Sequence, residues 1–493
     1  MLSEVFEARH LIDGVWSAEG ETFESHSTSD GSLLARAPIA DASVVDRAVR
    51  AARKAFEQSD WKDRRAAERA SVLLELGERL DAVAEDVARL IAAEMGKPYR
   101  LALDREVRGA ADKFRYYAGA ARAIEGQVTG ASPAHILDIS VPYPVGVCAL
   151  IIPWNDPVDL AVRKIGAAMA AGCTMVVKSS EETPASTEAL MRLFEDVPGL
   201  PPGVVNFVHG PGEPTGQALV EHPDVDKVSF TGSTATGRKI MRAASGTLKR
   251  ISLECGGKAP CLVFSDADMD KALDALSWGA FLYGGQSCTA ATRIIVQRPV
   301  YDDFVAGLKA RAEALPTGDP LDPETLIGPL VSERQVERVR AFLDGIAADG
   351  GTVVSGGTID GLHVAPTIVT GLAADSAAAT QEIFGPVVCV FAVDSEDEAI
   401  ALANGVRYGL GASVWSADVN RVLRVTRRLD AGDIWVNTHY VRQSETPFGG
   451  WKESGIGREL GIAGMREYIA FKRVAFDTLP DFHLKTWWEQ GAG

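Results

Sequence analysis

The early part of the chain carries apolar residues at helical spacing. In its longest such run, successive apolar positions lie three or four residues apart, the period of one helix face: Leu73, Leu76, Leu80, Val83, Val87 and Leu90. Gly96-Lys97-Pro98 ends this run, and Asp41 precedes an earlier helical segment that reaches about Gln58. With a short strand and turn at 11–16 and a third helix over about 101–125, this opening is predicted to be mainly helical.

From about residue 134 onward, short β-favouring runs alternate with helical patterns. The predicted strands are Val145–Ile152, Thr174–Val177, Val204–Val208, Lys227–Phe230 and Arg250–Leu253. The helical patterns between and after them lie near 158–171, 184–195, 212–221 and 235–244. Alternation at this rhythm predicts βαβ units, and therefore a parallel sheet with helices on both faces.

Three further segments complete the predicted organisation. A second α/β segment extends from about 257 to about 455. His135 to Val141 is rich in β-favouring residues and is interrupted by Pro142 and Pro144, while Tyr468 to Phe476 is predicted to form an exposed strand. The chain shows neither an internal repeat nor a low-complexity linker, so the domains are predicted to interleave.

Composition narrows the class of protein. A chain of 493 residues with 46% hydrophobic residues suggests about three globular domains. A net charge of −17 argues against nucleic acid or an anionic membrane as a partner. No apolar run approaches the length of a membrane span, and the acidic start is unlike a signal peptide. The six cysteines are scattered without a C-x-x-C motif, so no disulfide framework or metal site is indicated and a reducing cytoplasm is expected.

Three residues are candidates for catalysis. Cys288 follows a Gly-Gln turn, where backbone amides can face its sulfur and favour the thiolate. Glu254, 34 residues earlier, ends a β-favouring run, precedes two glycines and is a candidate general base. Asn155 directly follows the first predicted strand of the alternating region, where its amide can donate to an oxyanion. Two of them have an ordinary alternative, since buried cysteine is usually a small hydrophobe and asparagine is a common turn former.

Two turns are candidates for nucleotide binding. Gly232-Ser233-Thr234-Ala235-Thr236-Gly237 joins a predicted strand to a helix, where bare amides and a helix N-terminus favour phosphate. Lys178 and Glu181 follow the strand Thr174–Val177, where they can hydrogen-bond the hydroxyls of an adenosine ribose. A plain tight turn and a solvated charged turn are the alternatives.

Taken together, these segments resemble the signatures of the aldehyde dehydrogenase superfamily. The cysteine segment and the glutamate segment stand at the family's separation, and the Pro-Trp-Asn segment ending at Asn155 resembles its oxyanion segment. Glu382-Ile383-Phe384-Gly385-Pro386-Val387 and Pro447-Phe448-Gly449-Gly450-Trp451-Lys452-Glu453-Ser454-Gly455 match two later signatures. The order and spacing agree over nearly the whole chain.

The resemblance implies an α/β fold with three parts. A Rossmann-like parallel-sheet nucleotide domain would comprise 1–121 and 145–256, and a second α/β catalytic domain would comprise 257–455. A small β oligomerisation hairpin with bridging segments would comprise 122–144 and 456–493, and the assembly would be a homodimer or homotetramer.

The resemblance also implies the chemistry. An aldehyde would be oxidised to a carboxylic acid with NAD(P), through a Cys288 thioester hydrolysed by water that Glu254 activates, with Asn155 holding the oxyanion. No metal is implied. The cofactor-binding residues carried over are Lys178, Glu181, Trp154, Gly232, Ser233, Gly237, Gly256, Glu382 and Phe384. A carboxylate at Glu181 would repel a 2′-phosphate, which favours NAD and leaves NADP possible.

Departures from the family pattern concern the substrate. The residues expected along the aldehyde tunnel are Asp156, Arg163, Tyr283, Arg442 and Phe448. Asp156, Arg163 and Arg442 replace residues that are often aromatic, so a polar or carboxylate-bearing aldehyde is expected. The alternative is that Asp156 and Arg163 pair with each other and only narrow the tunnel.

Two other functions are weighed against this one. An acylating, coenzyme A-dependent semialdehyde dehydrogenase usually lacks the glutamate, which is present here as Glu254. A catalytically silent structural relative would have lost Asn155, Glu254, Cys288 or Glu382, and all four are present.

Overall fold

Two large β-sheets carry the fold of the computed structural model, which describes residues 4–478. The strands, in chain order, are β1 (Phe6–Glu7), β2 (His10–Ile12), β3 (Val15–Ser17), β4 (Thr22–His26), β5 (Leu33–Pro38), β6 (Gln127–Val128), β7 (Ile136–Pro144), β8 (Val147–Ile151), β9 (Thr174–Lys178), β10 (Val205–Val208), β11 (Lys227–Thr231), β12 (Arg250–Glu254), β13 (Pro260–Val263), β14 (Arg293–Gln297), β15 (Thr352–Ser355), β16 (Ile359–Asp360), β17 (His363–Val364), β18 (Thr367–Thr370), β19 (Val387–Val393), β20 (Tyr408–Gly409), β21 (Gly411–Trp415), β22 (Asp433–Val436), β23 (Trp451–Lys452), β24 (Gly455–Ile456) and β25 (Ile469–Asp477).

Helices cover both large sheets. They are α1 (Ala42–Gln58), α2 (Ala66–Ala82), α3 (Ala84–Met95), α4 (Tyr99–Leu101), α5 (Arg108–Ala121), α6 (Pro157–Ala171), α7 (Pro184–Met191), α8 (Gln217–Glu221), α9 (Thr234–Ala244), α10 (Met269–Phe281), α11 (Tyr301–Glu313), α12 (Glu333–Gly345), α13 (Ala377–Thr380), α14 (Glu396–Asn404), α15 (Val419–Thr426) and α16 (Gly461–Arg466). The predicted α/β class is confirmed, whereas the domain limits remain predictions.

The first sheet has eight strands in the order β24-β12-β11-β8-β9-β10-β2-β3. Its five central strands, β12 to β10 in that order, are parallel. The register pairs Ile151 with Lys178 and with Phe230, and Thr231 with Glu254. The carboxyl ends of these strands therefore lie at one edge, where open α/β sheets bind their ligands.

Helix α6 shows how tightly the first sheet is packed. Every residue of α6 is buried, and all five residues of β8 beneath it are buried as well. Gly166 lies against the ring of Tyr117, where an added Cβ would come within 2.5 Å of a ring carbon. The segment between β8 and α6, which carries Asn155, is thus held by rigid elements on both sides.

The second sheet has seven strands in the order β15-β18-β19-β14-β13-β21-β22. All its pairings except that of β15 with β18 are parallel. Cys288 lies between α10 and the central strand β14, in a segment that points back toward the first sheet. The two sheets therefore contribute different parts of one site.

The strands β7 and β25 form a smaller sheet with β6, in the order β25-β7-β6. The sequence suggests that Pro142 and Pro144 interrupt the strand, but β7 continues through both. Pro142 pairs with Phe471 of β25, and β6 pairs only with Ile139 and Ser140. The prolines thus lie beyond the end of β6, where one side of β7 pairs with no strand within residues 4–478. A proline has no N–H group to donate, so on that side it breaks no hydrogen bond to a neighbouring strand.

The opening of the chain differs from the predicted helical pattern in three places. β4 and β5 fill a stretch that the pattern left unassigned. The long helix divides at Val83 into α2 and α3, although the buried apolar stripe continues across the break. The third helix is divided by a π-helical segment, Ala102–Val107. Such π segments often mark functional sites.

Candidate active site

The three predicted catalytic residues line one cavity. Asn155 comes from the turn after β8, Glu254 from the end of β12, and Cys288 from the segment before β14. The same cavity is lined by Gly232, Ser233, Gly256, Trp154, Glu382 and Phe384. A thiol, a carboxyl group and an amide therefore face a common space beside the candidate nucleotide turn.

Cys288 is the one half-buried cysteine among the six, since the other five are buried. It packs against Leu410, Phe448 and Leu460. Burial raises the pKa of the Cys288 thiol to about 11, against the opposing effect of the Arg442 guanidinium. The structure thus differs from the expected resting thiolate, because the apolar neighbours outweigh the nearby positive charge.

The segment that leads to Cys288 has an unusual backbone. Tyr283, Gly284 and Gly285 all have positive φ values, of 56°, 63° and 69°. A Cβ on Gly285 would overlap the carbonyl of Gly385, so this position requires glycine. Gln286 is fully buried and fixes the turn, because its side chain donates to the Tyr283 carbonyl at 3.1 Å and accepts from the Val331 amide at 3.0 Å.

Asn155 is joined directly to this segment. Its buried side-chain amide donates to the Gln286 carbonyl at 3.2 Å. One N–H of the amide is used in this way, and the second remains for another acceptor. The contact fixes the amide close to the residue two positions before Cys288.

Glu254 has a buried carboxyl group with neither oxygen hydrogen-bonded within residues 4–478. Burial and the neighbouring Glu459 raise its pKa well above the usual value, against the effects of Lys164 and Arg458. Gly449 packs so closely that an added Cβ would lie 2.7 Å from Oε1. A buried, unpaired carboxyl group with a raised pKa is typical of a catalytic acid or base.

Residues of the candidate nucleotide turn lie at the first sheet's ligand edge. Ser233 caps α9 by accepting from the Thr236 amide at 3.1 Å, and Gly232 precedes it. Trp154 and Phe384 meet edge to face at 5.2 Å across the cavity. Glu382 is half-buried, accepts from the Gly257 amide at 3.0 Å and has a pKa raised by burial to about 7.

Three of the predicted cofactor residues do not line this cavity. Lys178 is buried at the end of β9 and donates to the Ser179 carbonyl at 2.6 Å, while burial lowers its pKa to about 8 against the effect of Glu181. Gly237 faces Cys255, where a Cβ would lie 2.8 Å from the sulfur. Lys178 and Glu181 remain at the same sheet edge, whereas Gly237 allows α9 to approach β12.

Gly256 provides a test of the cofactor side of the cavity. An added Cβ at Gly256 would overlap the Glu382 carboxylate, so Gly256→Ala is expected to displace that side chain. The KM for NAD should then rise about tenfold or more, because charge-assisted hydrogen bonds worth ~1.5–3 kcal/mol are lost. Steady-state kinetics at saturating aldehyde measure this. Gly246→Ala is the control, since nothing lies within 4 Å of its Cβ position. An unchanged KM in Gly256→Ala would remove Glu382 from the cofactor site.

A second cavity, of about 480 Å³, adjoins the first. The two share Asp156, Arg163 and Arg442, and Tyr283 lines only the second. Phe448 lies in the first cavity, beneath Arg442 at 4.6 Å and Arg163 at 5.5 Å. The five residues expected along the tunnel therefore surround the passage between the two cavities.

The alternative pairing of Asp156 with Arg163 is wrong. Arg163 pairs with Asp159 one turn along α6 at 2.5 Å, and Lys113 holds the other oxygen of Asp159 at 2.7 Å. Although burial opposes it, these cations keep the pKa of Asp159 below its usual value. Asp156 instead pairs with Lys97 at 2.5 Å.

Arg442 differs from the other two shared residues. Within residues 4–478 its guanidinium has no carboxylate within 4.0 Å, and it donates only to the Thr289 hydroxyl. It stacks on the rings of Phe448 and Tyr440, and its Nε has no partner in this part of the chain. A half-buried arginine whose nearby carboxylate, Asp433, is not in contact with it can still bind an anionic ligand directly.

Sequence reasoning missed Lys97 and Glu106 as members of the site. Gly96-Lys97-Pro98 indicates only the end of a helix, and the π-helical segment that carries Glu106 leaves no pattern in the sequence. The spacing of Asp159 and Arg163, four residues apart on a predicted helix, was a usable signal for their ion pair.

The fold and the site define an α/β protein in which a cysteine, a glutamate and an asparagine face one cavity beside a nucleotide-type turn. A family model described as the aldehyde dehydrogenase family matches residues 15–474, and the chain belongs to this family.

Within residues 4–478, no helix is long and apolar enough to cross a membrane, and no group of three or more His, Cys, Asp or Glu side chains is placed to hold a metal ion.

Similar proteins cover nearly the whole chain. The chain is 40% identical over 484 residues to a 2-hydroxymuconic semialdehyde dehydrogenase of Pseudomonas sp. (strain CF600), covering 95% of this chain and 99% of the relative. An NAD-dependent aldehyde dehydrogenase from Sinorhizobium meliloti superposes with a TM-score of 0.95 at 38% identity, covering 97% and 96%. An NAD⁺ complex of an aldehyde dehydrogenase from Bacillus cereus gives 0.94 at 39%, covering 97% and 98%.

Proposed function

We propose that this member of the family oxidises a polar or carboxylate-bearing aldehyde to the acid, with Cys288 as nucleophile and NAD as cofactor. The observation that carries the proposal is the convergence of Cys288, Asn155 and Glu254 on one cavity. Three groups from distant parts of the sequence meet there with the roles that acyl chemistry requires.

Cys288, Asn155 and Glu254 have separate roles in the proposed reaction. The Cys288 sulfur adds to the aldehyde carbon, and the free N–H of Asn155 with the Cys288 amide stabilises the oxyanion that forms. Loss of a hydride to the cofactor would convert this adduct into a thioester. Water then attacks the thioester, the Glu254 carboxylate accepts a proton from that water, and the Cys288 thiolate leaves as the acid is released. The absence of a hydrogen-bond partner for either Glu254 oxygen within residues 4–478 leaves both available for that water.

The cavity suits a dinucleotide. The Glu382 carboxylate has one oxygen held by the Gly257 amide, and Trp154 with Phe384 supplies an aromatic wall. The capped N-terminus of α9 favours a phosphate, and Lys178 with Glu181 would hold the adenosine ribose. When bound, NAD supplies the hydride acceptor of the oxidation. The preference for NAD over NADP rests on Glu181 and stays a proposal.

The Arg442 side chain supports the anionic substrate class. Asp156 and Arg163 are already paired with Lys97 and Asp159, so Arg442 is the charged residue at the passage that has no oppositely charged side chain in direct contact within residues 4–478, Asp433 acting on it only from a distance. A carboxylate at the far end of the aldehyde would provide the missing partner. A similar protein from Pseudomonas is named a semialdehyde dehydrogenase, which agrees with this class.

Arg442→Met is expected to raise KM for a carboxylate-bearing aldehyde by about tenfold or more, from the loss of ~1.5–3 kcal/mol of charge-assisted hydrogen bonding. Methionine keeps an unbranched apolar stem on Phe448 and Tyr440. NADH absorbance measures oxidation of this aldehyde and of a neutral aldehyde of equal length.

The neutral aldehyde is the internal control and should be oxidised as well or better by Arg442→Met. Equal losses on both aldehydes would make Arg442 structural and remove the charge argument. Failure of the wild-type enzyme to oxidise either would contradict the proposed oxidation itself.

The rival functions are disfavoured by the placement of Glu254. An acylating enzyme passes its thioester to coenzyme A and needs no carboxylate to activate water, yet Glu254 lines the cavity beside Cys288. A silent relative has no need to keep such a buried, unpaired carboxyl group, which destabilises the fold.

The proposed assembly is a homodimer or homotetramer, formed through β7 and β25. Leu137 and Val141 of β7 and Phe471 and Phe476 of β25 are exposed, which is unfavourable for a free surface.

The six free thiols agree with the reducing cytoplasm that the sequence predicts.

A further inference from the structure

Lys97 is a fully buried lysine beside the substrate passage. Its ammonium contacts the carboxylates of Glu106 and Asp156, with no exposed side-chain surface on Lys97 or Glu106 and 14% on Asp156. It also lies 4.4 Å from the ring centre of Tyr283. Three segments far apart in the sequence therefore meet at one buried charge.

Burial of this charge is costly unless its partners are fixed. An ammonium loses its hydration inside a protein and is retained only when carboxylates compensate it. Burial opposes the charge, but Asp156 and Glu106 raise the pKa of Lys97 above its usual value, so it stays protonated. Lys97, Glu106 and Asp156 thus form a buried ion triad whose members hold one another in place.

The first segment that Lys97 holds is the one that carries Asn155. Asp156 occupies the N-cap position of α6, but its side chain does not cap the helix and turns to Lys97. Glu106 accepts from the Val158 amide at 2.9 Å, in the first turn of α6. Lys97 therefore anchors the start of α6, directly through Asp156 and indirectly through Glu106, one residue from the catalytic amide.

The second segment is the one that carries the nucleophile. Tyr283 begins the left-handed stretch that leads to Cys288, and the face of its ring lies against the Lys97 ammonium. An ammonium against an aromatic face is attractive, more strongly so when both are desolvated. The same charge thereby contacts the segments of Asn155 and of Cys288.

We propose that Lys97 is a positioning residue that fixes the Asn155 amide relative to the Cys288 sulfur. It touches neither substrate nor cofactor and acts through Asp156 and Tyr283. The inference rests on the proposed function and adds to it the residue that sets the oxyanion geometry. Misplacement of a reacting group by about 1 Å can cost on the order of 10²-fold in rate.

Lys97→Met tests the proposal in the full-length enzyme with NAD bound. The rate of NADH formation in a single turnover, with enzyme in excess of a neutral aldehyde, should fall roughly ten- to hundredfold. Alkylation of Cys288 by iodoacetamide should stay within about twofold of the wild type, because that reaction forms no oxyanion. A residue that only stabilises the fold would not separate these two rates.

Two further variants test whether the loss of rate comes from the contact between Lys97 and Asp156. Asp156→Ala removes the anchor from its other end while Lys97 keeps Glu106, and the single-turnover rate should fall in the same way. Lys227→Met is the matched control, since Lys227 is also buried, contacts Ser252 and a carboxylate, and lies 5.0 Å from the Tyr468 ring centre. It begins β11, at the sheet edge opposite Glu254, so its single-turnover rate should be unchanged.

The proposal is overturned if folded Lys97→Met or Asp156→Ala keeps a single-turnover rate within about twofold of the wild type. It is also overturned if alkylation falls as far as NADH formation, or if Lys227→Met loses as much rate. Circular dichroism establishes folding, and Asp156→Ala decides alone if Lys97→Met does not fold. A wild-type enzyme that forms no NADH would overturn the proposed function instead.

Discussion

Replacement of Cys288 by alanine is expected to abolish aldehyde oxidation while leaving the affinity for NAD nearly unchanged. The thiol lines the same cavity as Asn155 and Glu254, and under the proposed function its loss removes the atom that bonds to the aldehyde carbon. Loss of a covalent nucleophile costs a factor of at least about 10⁴ in turnover. Steady-state NADH formation and a fluorescence titration with NAD measure the two quantities.

Alkylation provides the control for this assignment. Cys173 is buried and does not line the cavity, so Cys173→Ala should retain turnover. Because burial raises the pKa of Cys288 to about 11, inactivation by iodoacetamide in the absence of NAD should accelerate steadily between pH 7 and pH 10, as the thiolate fraction grows. Labelling of Cys255 or Cys173 with inactivation would show that the nucleophile lies elsewhere.

Glu254→Gln is expected to separate the two halves of the reaction. The glutamine amide has the size of the carboxyl group but accepts no proton from water, so the thioester at Cys288 should form and persist. Stopped-flow absorbance should show a burst of about one NADH per active site followed by near arrest. Because neither oxygen of Glu254 has a hydrogen-bond partner within residues 4–478, the substitution removes no hydrogen bond from another group in this part of the chain.

The pH dependence gives this prediction a second measurement. Burial raises the pKa of Glu254 well above its usual range, so below that pKa the group is protonated and accepts no proton. Hydrolysis in the wild type should therefore rise with pH until Glu254 is ionised, and Glu254→Gln should lose this limb. Unimpaired turnover would remove Glu254 from the mechanism, and loss of the burst would place it in the attack by Cys288 instead.

The sequence predicted the parts of the site that local pattern determines. The parallel strands β8, β9, β11 and β12 follow from buried apolar runs that alternate with helices, and their carboxyl ends bring Asn155 and Glu254 to one edge. The resemblance to the family then predicts that the segment carrying Cys288, which belongs to the second sheet, faces that edge.

Contacts between distant segments were beyond sequence reasoning. Lys97 and Asp156 lie 59 residues apart, and nothing in Gly96-Lys97-Pro98 indicates a buried ion triad. The raised pKa of Cys288 depends on how Leu410 and Phe448 close around the sulfur, which residue types alone do not specify. The course of β7 through its prolines likewise depends on where β6 ends.

The most direct test of the account is to trap the acyl group on the protein. Glu254→Gln enzyme is mixed with NAD and aldehyde, quenched in acid after the burst, digested and mapped by mass spectrometry. The account predicts the acyl mass on the peptide that carries Cys288, in an amount equal to the NADH formed. NADH formation with no adduct, or with the adduct on the peptide that carries Cys255, would contradict it.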